Sequence, residues 1–589
     1  MRPITWRSLL HEAKQYRIKI ALGQLIALLA VAVSLPVPLL FPLLIDQVLL
    51  KKPGWVTGAI DTLFSPSEPY LYIIIVLLTT LVLRMLFFSL NVMQSRLFTL
   101  ISKELVYTVR KRILEHLKRV SVAEYEALGG GGVSAKLVTD IDTVDAFVGV
   151  SIGRFFVSLL MLLGIASVLL YINWQLALIM LVVNPSVVGL TIWLGRKIRK
   201  LKKRENQQIE NFQNALAETL DLFIQIRTHN QEQHYIDAAI SKARAIREAS
   251  GSFGWKSEAA GQLSGFVFLS GFELIRAASM LMVLFSNLSI GEMFAVIGYL
   301  WFMVTPLQDL LQIVFSYQNA TSALERLNTL LGLQQEPSYP HEVNPFESSV
   351  NNTIALENVC FSYGKKQVLH DISMTIPAGK TVALLGHSGS GKTTLAHVIL
   401  GLYAASSGQI SVDETPITKI GLDRLREHIS LVLQNPRMFN DTLRQNLTLG
   451  REIKESVLYE VLQVAQLESV VAKLTDGLDT MIGKDGIRLS GGERQRLAIA
   501  RMLVSEPNVI ILDESTSALD IHTEHHLFDA LRGYLKEKTM LIIAHRLSTV
   551  EHADMIYVLK EGRIIESGSP AELLGAGGHY SRFVSEQKR

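Results

Sequence analysis

Leu384-Leu385-Gly386-His387-Ser388-Gly389-Ser390-Gly391-Lys392-Thr393-Thr394 is the stretch on which the reading of this chain turns. Gly386, Gly391, Lys392 and Thr393 satisfy the phosphate-loop spacing G-x-x-x-x-G-K-[ST], and the apolar run 381–385 before them predicts a strand that feeds the loop. Gly386, Gly389 and Gly391 let the backbone turn tightly enough for successive amides, and the N-terminus of a helix expected over Thr393–Leu400, to face an anion. His387, Ser388, Ser390 and Thr394 fill the remaining positions around that anion. Lys392 is then expected to meet the β- and γ-phosphates of a nucleotide, and the Thr393 hydroxyl to ligate Mg²⁺. A glycine-rich turn that merely joins a strand to a helix is the bland alternative, and it must be weighed with what lies downstream.

Val509-Ile510-Ile511-Leu512-Asp513 reads as a buried strand ending in an acid. Asp513 is expected to hold Mg²⁺ through water, and Glu514 to orient and activate the attacking water. Leu489-Ser490-Gly491-Gly492-Glu493-Arg494-Gln495 resembles the L-S-G-G-Q signature of the ATP-binding cassette (ABC) family, with Glu493 in place of the glutamine. That exchange is expected to be tolerated, because Ser490 and the amides of Gly491 and Gly492 at a helix N-terminus are the groups that meet the γ-phosphate. The resemblance extends, in order, to other positions. Tyr363 resembles the aromatic that stacks on adenine. Gln434 resembles the glutamine that contacts Mg²⁺ and the water. Ser517-Ala518-Leu519-Asp520 matches the D-loop, and His545 resembles the histidine that bonds the γ-phosphate. Tyr363 or His545 alone is outweighed by a core-packing role; in series, with these spacings, they are not. One departure is Ile482-Gly483-Lys484-Asp485-Gly486, where the family often carries the opposite order of charges.

The 589 residues exceed one core, and a mean hydropathy of +0.28 with 49% hydrophobic and 19% charged residues places a membrane region in the apolar first half. A net charge of +3 is too small to point to nucleic acid. The single cysteine, Cys360, excludes an intramolecular disulfide and a cysteine metal cluster, and reads as a small buried strand residue. The first apolar run, uncharged from Ile20 to Ile45, is too long for a cleaved leader and reads as a retained span.

Residues 1–19, with five basic side chains plus Trp6 and Tyr16, suit an amphipathic elbow on the membrane surface or a solvated leader. Six spans are expected at about 20–48, 70–97, 147–171, 174–195, 259–286 and 289–317 within a membrane domain of 20–333. No charge occurs from Phe155 to Gly195, and Tyr171-Ile172-Asn173-Trp174 supplies the turn of a hairpin. Residues 51–68 read as an external loop, and the four glycines 129–132 as a break. Basic residues gather at 103–119 and 196–204, which makes those loops, both termini and the ATPase domain cytoplasmic. The proline-bearing segment 334–352 reads as a linker, and 353–589 as the soluble domain.

The expected fold class is therefore an α-helical membrane domain of six transmembrane helices plus a C-terminal α/β phosphate-loop ATPase. This layout is similar to the half-transporters of ABC exporters, the type IV fold. The resemblance implies a multi-pass protein of the bacterial cytoplasmic membrane that uses ATP and Mg²⁺ to export a drug, lipid or peptide-like amphipathic substrate. It implies a second half-transporter as partner, for which a homodimer is the simpler reading and a heterodimer stays open, with coupling helices near 121–132 and 222–232. Import of siderophore-like cargo on the same fold, or a gating ATPase that does not pump, are the rivals. Arg84, Arg154, Glu273, Arg276, Glu292 and Asp309 are the costly charges inside spans, and Glu273 and Arg276, three apart, are expected to pair.

Overall fold

The computed structural model describes residues 3–52, 54–64, 66, 68–286, 288–484, 486–544 and 550–587. Its contacts divide the chain into two units, Met1–Leu117 with Gly131–Gly332, and Lys118–Gly130 with Leu333–Arg589.

The first unit is helical. Pro69–Leu117, Trp174–Asp221, Glu232–Phe285 and Ile290–Leu331 run for 49, 48, 54 and 42 residues. At 1.5 Å per residue the first is about 74 Å long, more than twice a bilayer's apolar core. These helices therefore extend far beyond any membrane. Among the described residues five helical stretches are long and apolar enough to cross a membrane. The hairpin turns at Asn173, whose extended backbone ends the helix Ile152–Ile172. Its side chain accepts from the amides of Gln175 and Leu176 at 3.0 Å, capping the helix that follows. The first apolar run breaks at Leu35-Pro36 between helices Arg17–Ser34 and Val37–Leu44, because proline cannot supply the ladder hydrogen bond.

Two segments differ from their local reading. Residues 51–68 hold a helix, Trp55–Phe64, whose Val56 and Ile60 are buried against Leu40, Leu44 and Val76. Residues spaced by four share a face, so tertiary burial overrides the glycine and proline around them. The helix Val122–Ala135 runs through the four glycines, which mark where the chain passes from one unit to the other. Near the N-terminus, Thr5 caps the helix Trp6–Ala13, and Trp6 packs inward: its Nε1 donates to Thr321 at 3.0 Å and its ring meets Phe147 edge-on.

The second unit is an α/β domain. Its six-stranded sheet runs, in spatial order, Arg563–Gly568, Met555–Lys560, Thr381–Leu385, Thr539–Ile543, Val509–Asp513 and Ile429–Val432. All neighbours are parallel except the first pair. The strands Thr381–Leu385, Val509–Asp513 and Thr539–Ile543 are almost wholly apolar, as a parallel sheet covered on both faces requires. A second, antiparallel sheet pairs Ile354–Tyr363 with Lys366–Ile376 on one side and Ser407–Val412 on the other.

Residues 334–352 lack regular structure, yet they are docked rather than free. Phe346 is buried and stacks on His428 with ring centres 4.4 Å apart, and Asn352 donates to Asp413 at 2.6 Å. Cys360 is half-buried, with its sulfur within 3.4 Å of the Asp371 carboxylate and backbone. The expectation of a buried apolar cysteine is corrected accordingly.

Candidate nucleotide-binding site

The strand Thr381–Leu385 lies between two parallel neighbours, so its C-terminal end is fixed on both sides where the phosphate loop begins. Gly389 and Gly391 adopt φ of +81° and +104°, conformations that side chains rarely take. A Cβ on Gly386 would stand 2.3 Å from the Leu559 carbonyl oxygen. The loop thus needs glycine for two different reasons, rotation at 389 and 391 and close approach at 386. Lys392, one residue before the expected start, opens the helix Lys392–Ile399. Its Nζ donates to the carbonyls of Gly386 and His387 at 2.9 and 3.2 Å. Burial lowers the Lys392 pKa, and the nearby Glu514 and Asp513 counter it. A cation partly stripped of water in this way is primed to donate to phosphate oxygens.

Asp513 ends its strand only 1% exposed, and neither carboxylate oxygen has a hydrogen-bond partner among the described residues. Burial raises its pKa, while the neighbouring Thr393 hydroxyl pulls it down without reaching hydrogen-bond geometry. An orphaned buried carboxylate beside a hydroxyl is a donor set that suits Mg²⁺, a hard cation that takes oxygen ligands. Among the described residues no three His, Cys, Asp or Glu side chains converge to hold a metal, so phosphates and water would complete its shell. A carboxyl with a raised folded pKa favours the fold while protonated. That share is lost as pH climbs through the raised value, and neutral pH carries the full charge penalty. Asp513→Asn is therefore expected to stabilise the nucleotide-free protein at pH 7 by about 1–3 kcal/mol while abolishing Mg²⁺-dependent turnover, as thermal unfolding and ATPase assays would read.

Glu514 follows with φ of +45°, its amide donating to the Ile543 carbonyl at 3.1 Å. Such strain in a non-glycine residue tends to mark functional sites. Gln434 Nε2 donates to the Glu514 carboxylate. A cavity of about 390 Å³ brings together Ser388, Gly389, Gly391, Lys392, Thr393, Thr394, Gln434 and Glu514. Tyr363, at the end of a tight hairpin, is 42% exposed, and its hydroxyl lies 3.5 Å from Thr394 Oγ1. An accessible aromatic ring thus stands close to the phosphate loop.

The remaining sequence candidates lie elsewhere. Ser490 caps the helix Gly491–Val504 in a reciprocal box with Glu493, whose carboxylate accepts from the Ser490 amide at 2.7 Å. Glutamate and glutamine both serve in that box, which explains how this position accommodates Glu493. Ser490 and Gly492 line neither cavity described in this unit, whereas Gly491 joins Gln434 in a second one of about 550 Å³. Asp520 caps the helix Ile521–Tyr534, and the Thr523 amide lowers its pKa. His545 and Asp485 lie outside the described residues. One residue that sequence reasoning quoted but gave no role is Gln495. It is 3% exposed, donates to the Gln434 carbonyl at 3.2 Å and to Ser517 at 3.1 Å, and accepts from the Ala518 amide at 3.0 Å. A polar residue on the apolar face of a helix was the available signal.

Comparison with known proteins gives the same reading. The family described as "ABC transporter transmembrane region" matches residues 20–307, and "ABC transporter" matches 369–517. The chain is similar to the ATP-dependent lipid A-core flippase of Legionella pneumophila (strain Paris), 31% identical over 503 residues covering 83% of each chain. It is also similar to that of Haemophilus ducreyi, 34% identical over 517 residues, 84% of this chain and 86% of that one. A solved bacterial Atm1-family ABC exporter with ATP bound shares the fold, with a TM-score of 0.81 at 23% identity over 97% of this chain and 98% of that one. With a helical membrane region ahead of a phosphate-loop domain that carries these motifs, the chain belongs to the ABC transporter family, whose ATPase couples hydrolysis to translocation.

Proposed function

We propose that two copies of this chain export an amphipathic lipid across the cytoplasmic membrane. The observation that carries the substrate class is a cavity of about 760 Å³ in the helical unit. Its apolar wall includes Phe87, Phe88, Trp301 and Phe302, and its polar end Arg154, Ser158 and Asp309. Asp309 lies 3.9 Å from the Arg154 guanidinium and accepts from Ser158 at 3.0 Å. Mostly apolar walls with a few convergent polar groups suit a ligand held by both tail and head. Charges at membrane depth are costly and mark such a path. The lipid A-core flippases to which the chain is similar support a lipid as cargo. Among the other intramembrane charges, Glu273 pairs with Arg276 at 2.6 Å, and Glu292 caps the helix Ile290–Leu331.

In this reading Lys392 and the loop amides hold the phosphates, while Thr393, Gln434 and Asp513 hold Mg²⁺, which neutralises phosphate charge when bound. Glu514 accepts the proton of the attacking water, His545 bonds the γ-phosphate and Tyr363 stacks on the base. In the head-to-tail sandwich that the family resemblance implies, the signature residues Ser490, Gly491 and Gly492 and the D-loop Asp520 come from the partner copy. ATP then favours the closed pair over the open one by its difference in affinity, and hydrolysis resets the balance.

The test is reconstitution in vesicles whose ATPase domains face outward. ATP-driven accumulation of a labelled lipid A into the lumen, absent in Glu514→Gln, is the expected result; ATP turnover without lipid movement, or movement in the opposite direction, would overturn it. Arg154→Ala is expected to raise the lipid concentration that half-stimulates ATPase activity by roughly tenfold, the worth of one charge-assisted bond.

A further inference from the structure

Residues Lys118–Gly130 lie between two helices of the membrane region in sequence, yet they group with the ATPase unit. They are held there at two places. Near their start, Ser121 N donates to the Gln334 carbonyl at 2.9 Å, and Glu336 N to the Arg119 carbonyl at 2.8 Å. Glu336 forms a two-pronged pair with Arg426 at 2.9 Å, and Arg426 Nη2 donates in turn to the Gly401 carbonyl at 2.7 Å. Further along, the Tyr403 hydroxyl donates to Glu126 Oε2 at 2.7 Å. Both ties grip Gly401–Tyr403, the turn that ends the helix begun at Lys392.

Tyr403 is 5% exposed and belongs to a ring cluster that includes Tyr363, whose hydroxyl lies 3.5 Å from Thr394 Oγ1 of the phosphate loop. Its ring meets Tyr363 edge-on at 5.4 Å and lies 5.3 Å from Phe361, which itself meets Tyr363 edge-on at 4.8 Å. Edge-on pairs of this kind fix ring orientation as well as burying area. The accessible ring beside the phosphate loop is thus backed by a buried ring whose hydroxyl is tied to the 118–130 segment.

We propose that Tyr403 is a positioning residue that makes base binding at Tyr363 and seating of the 118–130 segment at Glu126 favour one another. Coupling between two binding events is reciprocal, so whatever factor the seated segment adds to nucleotide affinity the nucleotide returns to seating. The inference rests on the reading of Tyr363 as the base platform.

The experiment measures equilibrium binding of ATP and of tripolyphosphate, which has the phosphates but no base, to the full-length protein in nanodiscs. Tyr403→Phe removes one hydroxyl and keeps the ring. It is expected to weaken ATP binding about fivefold, the lower end of allosteric couplings, with tripolyphosphate binding unaltered. Glu126→Ala should do the same, the double variant should add nothing further, and Glu126→Gln, which keeps an acceptor oxygen, should restore wild-type affinity. Additive effects, equal weakening of both ligands, or no change in ATP binding would each overturn the proposal. Tyr363→Ala separates the two readings: if it leaves the ATP-to-tripolyphosphate ratio untouched, the base platform itself is wrong, whereas a lowered ratio with a silent Tyr403→Phe removes only the coupling.

Discussion

Glu514→Gln is expected to lower steady-state ATP hydrolysis by about 10²–10⁴-fold, the usual contribution of a positioned general base, without weakening ATP binding. Gln434 Nε2 already donates to this carboxylate, and a glutamine side chain of the same shape can offer its amide oxygen to that donor. The left-handed backbone at 514 belongs to the main chain, so the exchange leaves the strand end as it is. What disappears is the capacity to take a proton from water. Phosphate release under saturating ATP and equilibrium binding of labelled ATP read the two halves of the expectation separately. Unchanged turnover would remove Glu514 as the base, and lost binding would place it in the nucleotide cradle instead.

Lys392→Ala is expected to weaken ATP binding by roughly 10- to 100-fold, the loss of hydrogen bonds from a charged donor. The ammonium is buried beside the loop it crosses, and burial already disfavours its charged form. Phosphate supplies the opposite charge that burial removed from contact with water. Lys392→Met keeps most of the volume and isolates the charge from the cavity that alanine leaves. Calorimetric titration at fixed Mg²⁺ measures both variants, and full affinity in the methionine variant would assign Lys392 to loop packing alone.

Local spacing pointed to the candidate nucleotide site. Gly386, Gly391, Lys392 and Thr393 stand within eight positions, and Asp513 and Glu514 end a run that reads as a buried strand, so type and order alone suggest their chemistry. Contacts across long stretches of chain left no such trace. Tyr403 and Glu126 are 277 residues apart, and nothing in the composition around either predicts the other. Gln495 sat in plain view within the signature stretch, but its three hydrogen bonds depend on how separate loops meet. The helix Trp55–Phe64 was hidden by the glycines and prolines around it, because local propensity is a weak prior once Val56 and Ile60 find a core.

The docking of residues 334–352 has a practical corollary for modular exchange. A chimera that swaps ATPase domains at the apparent boundary near 353 would leave Phe346 without its ring partner His428 and Asn352 without Asp413. The sound graft point is upstream, after Gly332, and the 118–130 segment has to travel with the transplanted part, since it groups with that unit. Two cuts far apart in the chain, rather than one, delimit the piece that can be moved whole.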